Sequence, residues 1–194
     1  MRILYLYCHP LPDSFHSGIR AAALNALKTE GHAIDLLDLY AESFPAVLTP
    51  DERRHYFECP RNQKGLESYV RRLKSAEALV VQFPTWCFGP PAMLKGFFDR
   101  ILIPGVAYDT SDPAGAKPSL DNIRKIVGVV TYGQPWTAAF WMGDAPRKIV
   151  NRFLVWFTGG TANTAFHALY HVDASSDRQR GAFIARVAKA MKGI

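Results

Sequence analysis

Short apolar runs alternate with amphipathic stretches along the whole chain. Ile3 to Tyr7 is a continuous apolar run and reads as a buried strand. From Ser17 to Glu30, Ile19, Ala22, Ala23, Ala26 and Leu27 recur at helical spacing, and Gly31 stops the helix. Ala33 to Leu39 interleaves apolar residues with Asp35 and Asp38, as a strand with a less buried face does. Thr49-Pro50-Asp51-Glu52 starts a helix: Thr49 caps it, Pro50 fits the first turn, and the acids face the positive dipole end. Leu66 to Ala76 is an amphipathic helix, and Ala78 to Phe83 another apolar strand. Ala92 to Leu102 is a helix behind Pro90-Pro91, and Pro104 to Asn122 reads as a long loop or hairpin. Lys125 to Thr131 and Thr164 to Val172 complete the strands. Asp144 to Phe157 is a helix closed by Gly159-Gly160, and Ser175 to Lys192 is the last helix, with Ser176 as its cap.

Five strands alternating with helices predict a doubly wound, five-stranded parallel sheet with helices on both faces. In that fold ligands lie outside the carboxyl ends of the strands. The 194 residues suit a single domain. A hydrophobic content of 48% with 21% charged residues excludes a disordered chain. The net charge of +6 favours anionic ligands, but is too small and dispersed to argue for nucleic acid. Cys8, Cys59 and Cys87 are too few and too scattered for a disulfide framework, so a reducing compartment is expected. The apolar start ends at His9-Pro10, and no run approaches the ~20 residues of a membrane span. Neither a signal peptide nor stable membrane insertion is expected. His167 and His171 have no Cys or acidic partner at ligand spacing, so no metal is expected.

Three loops carry the chemistry. The first runs from His9 to Ser17 and has no G-x-G-x-x-G. His9, Ser14, His16 and Ser17 gather at a helix N-terminus, which suits a phosphate; plain capping by Ser14 or Ser17 is the competing reading. The second follows Phe83: Pro84, Thr85, Trp86, Cys87 and Phe88, fenced by prolines, offer a wall for a flat ring, or a lid or dimer contact. The third is Thr131-Tyr132-Gly133-Gln134-Pro135-Trp136. Gly133 admits close backbone approach and Tyr132 or Trp136 could stack; an ordinary turn is the alternative. Cys8 is not a phosphatase nucleophile, because the arginine of a C-x5-R loop is replaced by Ser14.

Together the loops resemble the flavodoxin-like NAD(P)H:quinone oxidoreductases of the DT-diaphorase type. The stretch from Phe83-Pro84 to Asp99-Arg100 follows that family's F-P…F-G-x-P-A-x-L-K-G-x-F-D-R pattern almost without a break, and His9 with Ser14-Phe15 follows its H-x-x-x-x-S-F. The resemblance implies a flavodoxin-like fold, a flavin, and hydride transfer from NAD(P)H to a small-molecule acceptor such as a quinone, by a ping-pong scheme. It implies FAD, with FMN as the alternative. His9, Ser14, Phe15, His16 and Ser17 would surround the phosphate and ribityl chain, although the family more often has Asn at the place of His16. Pro84, Thr85, Trp86, Cys87 and Phe88 would follow the ring, and Thr131, Tyr132, Gly133 and Gln134 its other edge, where the family usually has T-T-G-G. A cytoplasmic homodimer is implied. The family's animal members carry a Tyr and a His beyond the third loop; Trp136 to Asp144 has neither. The chemical step is therefore expected to lean on Gly133, Gln134 and Trp136. The alternative is a flavin-bound regulatory subunit of a potassium-efflux transporter, which would keep the same site.

Overall fold

A computed structural model describes residues 1–194. In chain order the elements are β1 (Arg2–Tyr7), α1 (Phe15–Thr29), β2 (Ala33–Asp38), α2 (Pro50–Arg54), α3 (Glu67–Ser75), β3 (Ala78–Thr85) and α4 (Ala92–Ile101). A small ribbon follows, β4 (Tyr108–Asp109) with β5 (Lys117–Pro118). Then come β6 (Lys125–Tyr132), α5 (Trp136–Trp141), α6 (Ala145–Lys148), a π-helical turn (Ile149–Phe153), α7 (Leu154–Trp156), β7 (Asn163–Leu169) and α8 (Asp177–Lys192).

The main sheet has the order β2-β1-β3-β6-β7, with every pair parallel. The chain turns one way from β1 to β2 and the other way to β3, so the switch point lies between β1 and β3. Because side chains alternate along a strand, Ile3, Tyr5 and Tyr7 join the core under α1 and α8, while Leu4 and Leu6 join the core on the other face. Burial on both faces explains why β1, β3 and β6 read as apolar runs.

Local signals act where the sequence puts them. Ser14 caps α1 by accepting from the Ser17 amide. Thr49 with Glu52, and Ser176 with Gln179, form complete capping boxes on α2 and α8. Some boundaries differ. β3 runs on through Pro84 and Thr85, which stand opposite Thr131 and Tyr132 of a longer β6. The Pro104–Asn122 stretch is a loop with a two-residue ribbon inside it. The expected helix from Asp144 to Phe157 is interrupted by the π turn, and α5 is an additional helix.

The tail of the Phe83–Arg100 stretch is architectural. A Cβ on Gly96 would lie 2.0 Å from the Ala46 carbonyl oxygen, so only glycine lets α4 lie against that segment. Arg100 is buried, pairs with Glu52 and lies 5.5 Å over the Phe44 ring. No helix is long and apolar enough to cross a membrane. Cys8, Cys59 and Cys87 are all free thiols, and burial pushes Cys8 up to about 12.

Candidate functional site

The three loops meet at the carboxyl edge of β1, β3 and β6. At the first, both serines are committed to the helix start. Ser14 Oγ donates to the Leu11 carbonyl at 3.0 Å, and Ser17 Oγ donates to the Ser14 carbonyl at 2.7 Å. The amides of Phe15 and His16 have no acceptor in the protein, as expected of a helix's first turn. No acidic residue stands in that turn to repel an anion. The Phe15 ring packs toward Phe183, 6.4 Å away, so its backbone alone is free for a ligand.

His9 and His16 stack with centroids 5.2 Å apart, and Trp86 lies 6.3 Å from His9, which joins the first loop to the second. His16 is only 3% exposed and sits in a buried polar chain. Tyr5 donates its hydroxyl to Gln82 Oε1; Gln82 Nε2 donates to the His16 carbonyl at 2.7 Å and faces His16 Nδ1 at 3.2 Å. An accepting Nδ1 puts the ring proton on Nε2, which donates to Thr131 Oγ1 at 2.8 Å. Burial, with His9 beside it, pushes His16 down to about 3, so the ring is neutral. Burial also lowers His9, whose Nδ1 accepts from the Leu11 amide at 3.2 Å.

The second loop is a two-residue hairpin. The Trp86 amide donates to the Gly89 carbonyl at 3.0 Å, and the Gly89 amide to the Trp86 carbonyl at 2.9 Å. Cys87 and Phe88 between them have φ of 49° and 58°, the signature of a type I′ turn. Such a backbone costs roughly 1–2 kcal/mol per residue outside Gly and Asn. Strain of this kind gathers at ligand sites. The amides of Cys87 and Phe88 have no acceptor, and Thr85 Oγ1 is buried without a partner.

The third loop is more occupied than its sequence suggests. Thr131 and Tyr132 belong to β6 and are buried. The Tyr132 ring stacks on Tyr170 at 4.5 Å, and its hydroxyl donates to Asp144 Oδ1 at 2.6 Å. Trp136, expected to take part in the chemistry, is 61% exposed, faces Phe140 and does not line the cleft between the second and third loops. The Gln134 carbonyl accepts from the His171 amide at 3.0 Å. A Cβ on Gly133 would lie 3.0 Å from Asp173 Oδ2, so the close approach at this glycine is by the protein's own chain. The amides of Gly133 and Gln134 have no acceptor.

Between the second and third loops lies a cleft of about 480 Å³, lined by Thr85, Trp86, Cys87, Phe88, Tyr132, Gly133 and Gln134. A larger hollow of about 680 Å³, between α4 and the π turn, draws on none of these loops. Unspent amide pairs on two sides of an aromatic-walled cleft fit the polar edges of a flat heterocycle such as a flavin. The Phe15 and His16 amides fit its phosphate. Sequence reasoning missed Gln82, which sits in an otherwise apolar strand, and Asp173, which comes from the loop after β7.

A model of the flavodoxin-like fold family matches residues 1–191, and the chain belongs to that family. It is 27% identical over 218 residues to the mouse ribosyldihydronicotinamide dehydrogenase [quinone], covering 100% of this chain and 91% of that one. It is 28% identical over 148 residues to rat NAD(P)H dehydrogenase [quinone] 1, covering 68% of this chain but only 54% of the rat protein. Among solved structures, Smu.1420 from Streptococcus mutans superposes with a TM-score of 0.86 at 28% identity, with both chains covered completely.

Proposed function

We propose that the protein is a flavin-dependent NAD(P)H oxidoreductase that reduces quinones or similar acceptors. Reductant and acceptor take turns at one cleft in a ping-pong scheme. The observation that carries this reading is the pairing of unspent amides across the cleft, Cys87 and Phe88 on one side, Gly133 and Gln134 on the other. A bound flavin supplies the two-electron chemistry.

The chain's own groups do the rest. The Phe15 and His16 amides hold the phosphate. Trp86 and Phe88 keep water from one side of the ring. The Gly133 and Gln134 amides would hold the flavin's polar edge and offset negative charge there, because an uncompensated charge in a dry site is expensive. We further propose FAD as the resident flavin, a cytoplasmic location and a homodimer. Phe153 and Trp156, both more than 40% exposed, line a hollow with Phe57 and Tyr108 and offer the apolar surface a second copy would cover.

Reconstitution with FAD and FMN, mass spectrometry of the retained cofactor and turnover of NADPH and NADH with a simple quinone test this. Retained flavin with turnover supports it. Retained flavin without turnover points to the transporter-regulating alternative, and no retained flavin rejects both.

A further inference from the structure

Beside the cleft is a second hollow, of about 520 Å³, lined among others by Phe140, Asp144, Arg147, Lys148, Asn151 and Arg152. We infer that it is an anion subsite for the 2′-phosphate of NADPH. The inference rests on the oxidoreductase reading and adds to it a choice between the two nicotinamide reductants.

The charges in the hollow divide into a spent group and an unspent one. Arg147 Nε donates to Asp144 Oδ2 at 2.8 Å, and Tyr132 donates to the other carboxylate oxygen at 2.6 Å. Arg147 also donates to the Tyr170 hydroxyl at 2.9 Å and lies 4.4 Å over the Phe166 ring. Asp144 and Arg147 therefore cancel and hold each other in place. Lys148 and Arg152 have no carboxylate within 4 Å and make no side-chain hydrogen bond, and they line the same hollow. Lys148 Nζ folds back to 3.4 Å from the Cβ position of Gly143, at the hollow's rim. Two uncompensated cations with no acid of their own suit a dianion.

Two further features single out this surface. Asn151 Oδ1 is buried without a partner. With that oxygen turned inward, the amide N–H groups, which donate to nothing in the protein, are left to an anion. Asn151 and Arg152 also lie within the π turn Ile149–Phe153. Such turns are rare inside helices and collect at functional sites.

The identity of the anion follows from position. Tyr132 is among the residues lining the cleft and bonds Asp144 in the hollow with its hydroxyl, so the two hollows share one residue's neighbourhood. Of the two exchanging reactants, only the nicotinamide dinucleotide carries phosphate, and its adenosine ribose is where the two reductants differ. NADPH has a phosphate there and NADH a neutral hydroxyl. Phe140, 73% exposed at the hollow's edge, offers a face for the adenine.

The test compares wild type with Lys148→Ala, Arg152→Ala and the double variant. Calorimetry of 2′,5′-ADP, 5′-AMP and inorganic phosphate reads the subsite without turnover. The expected result is that 2′,5′-ADP binds wild type on the order of tenfold tighter than 5′-AMP, as two partly exposed charge contacts allow. The double variant erases the difference, raises KM for NADPH and leaves kcat and the NADH parameters alone. Equal binding of 2′,5′-ADP and 5′-AMP overturns the inference. So does an unchanged NADPH-to-NADH preference in the double variant, or displacement of 2′,5′-ADP by equimolar inorganic phosphate. Flavin content and NADH turnover report on the oxidoreductase reading separately, so its failure is distinguishable from failure of the subsite.

Discussion

His16 Nε2 lies 2.8 Å from Thr131 Oγ1, and this one hydrogen bond ties the first loop to the strand that leads into the third. It ends a buried chain that starts at Tyr5 and passes through Gln82. Replacing His16 with leucine leaves Gln82 and Thr131 short of a partner, and an orphaned buried polar group costs about 1–3 kcal/mol. Urea unfolding is expected to show a loss of that size for His16→Leu and a smaller one for His16→Asn, which keeps an amide donor. Equal stability of wild type and His16→Leu would refute the chain's importance.

The same ring makes stability depend on pH. Its folded-state value is pushed down to about 3 from an ordinary 6.5. Between those limits the unfolded chain binds a proton that the folded chain refuses, so stability falls as pH drops below about 6.5. His9, also lowered by burial, acts in the same direction. Urea midpoints at pH 7, 5.5 and 4.5 are expected to fall more steeply for wild type than for His16→Asn. Parallel slopes would show that His16 is not buried neutral.

At the third loop, Gly133→Val is expected to lose flavin or turnover, because its Cβ would lie 3.0 Å from Asp173 Oδ2 and its further methyls would press that side chain or the turn aside. Asp173→Gly in the same chain opens that space and restores part of the loss. Gln134→Ala removes at most one neutral hydrogen bond, about 0.5–1.5 kcal/mol, or roughly two- to tenfold in rate. Stopped-flow reduction by NADPH reads all three variants. A Gly133→Val protein that keeps its flavin and the wild-type rate would take the loop away from the ring.

Gly96→Ala separates architecture from site within the Phe83–Arg100 stretch. A methyl 2.0 Å from the Ala46 oxygen forces α4 off its neighbour, and overpacking of this kind costs about 1–3 kcal/mol or more. The protein is expected to unfold at lower urea while its folded fraction still takes up flavin. Undiminished stability would mean that the Ala46 segment yields freely.

The sheet was legible because its central strands are buried on both faces, and the helix starts because Ser14, Thr49 and Ser176 carry capping chemistry. The type of each loop could be read, but its internal commitments could not. Tyr132 was open to reading as a stacking residue, yet its partners Asp144 and Tyr170 lie 12 and 38 positions further on. α5 was invisible to periodicity because Trp136, Phe140, Trp141 and Met142 all remain exposed and only Ala139 is buried. The hollow behind it depends on the π turn, and no residue pattern in Ile149–Phe153 announces one.

The central claim is that the amides of Cys87–Phe88 and Gly133–Gln134 hold a flavin ring that takes electrons from NAD(P)H. Its most direct test is anaerobic titration of the reconstituted protein, following the flavin's visible absorption. The account predicts about one flavin retained per chain. It also predicts bleaching on addition of NADPH and recovery of the absorption on addition of a quinone. A protein that retains no flavin after reconstitution with either FAD or FMN, or whose bound flavin NADPH cannot reduce, would contradict it.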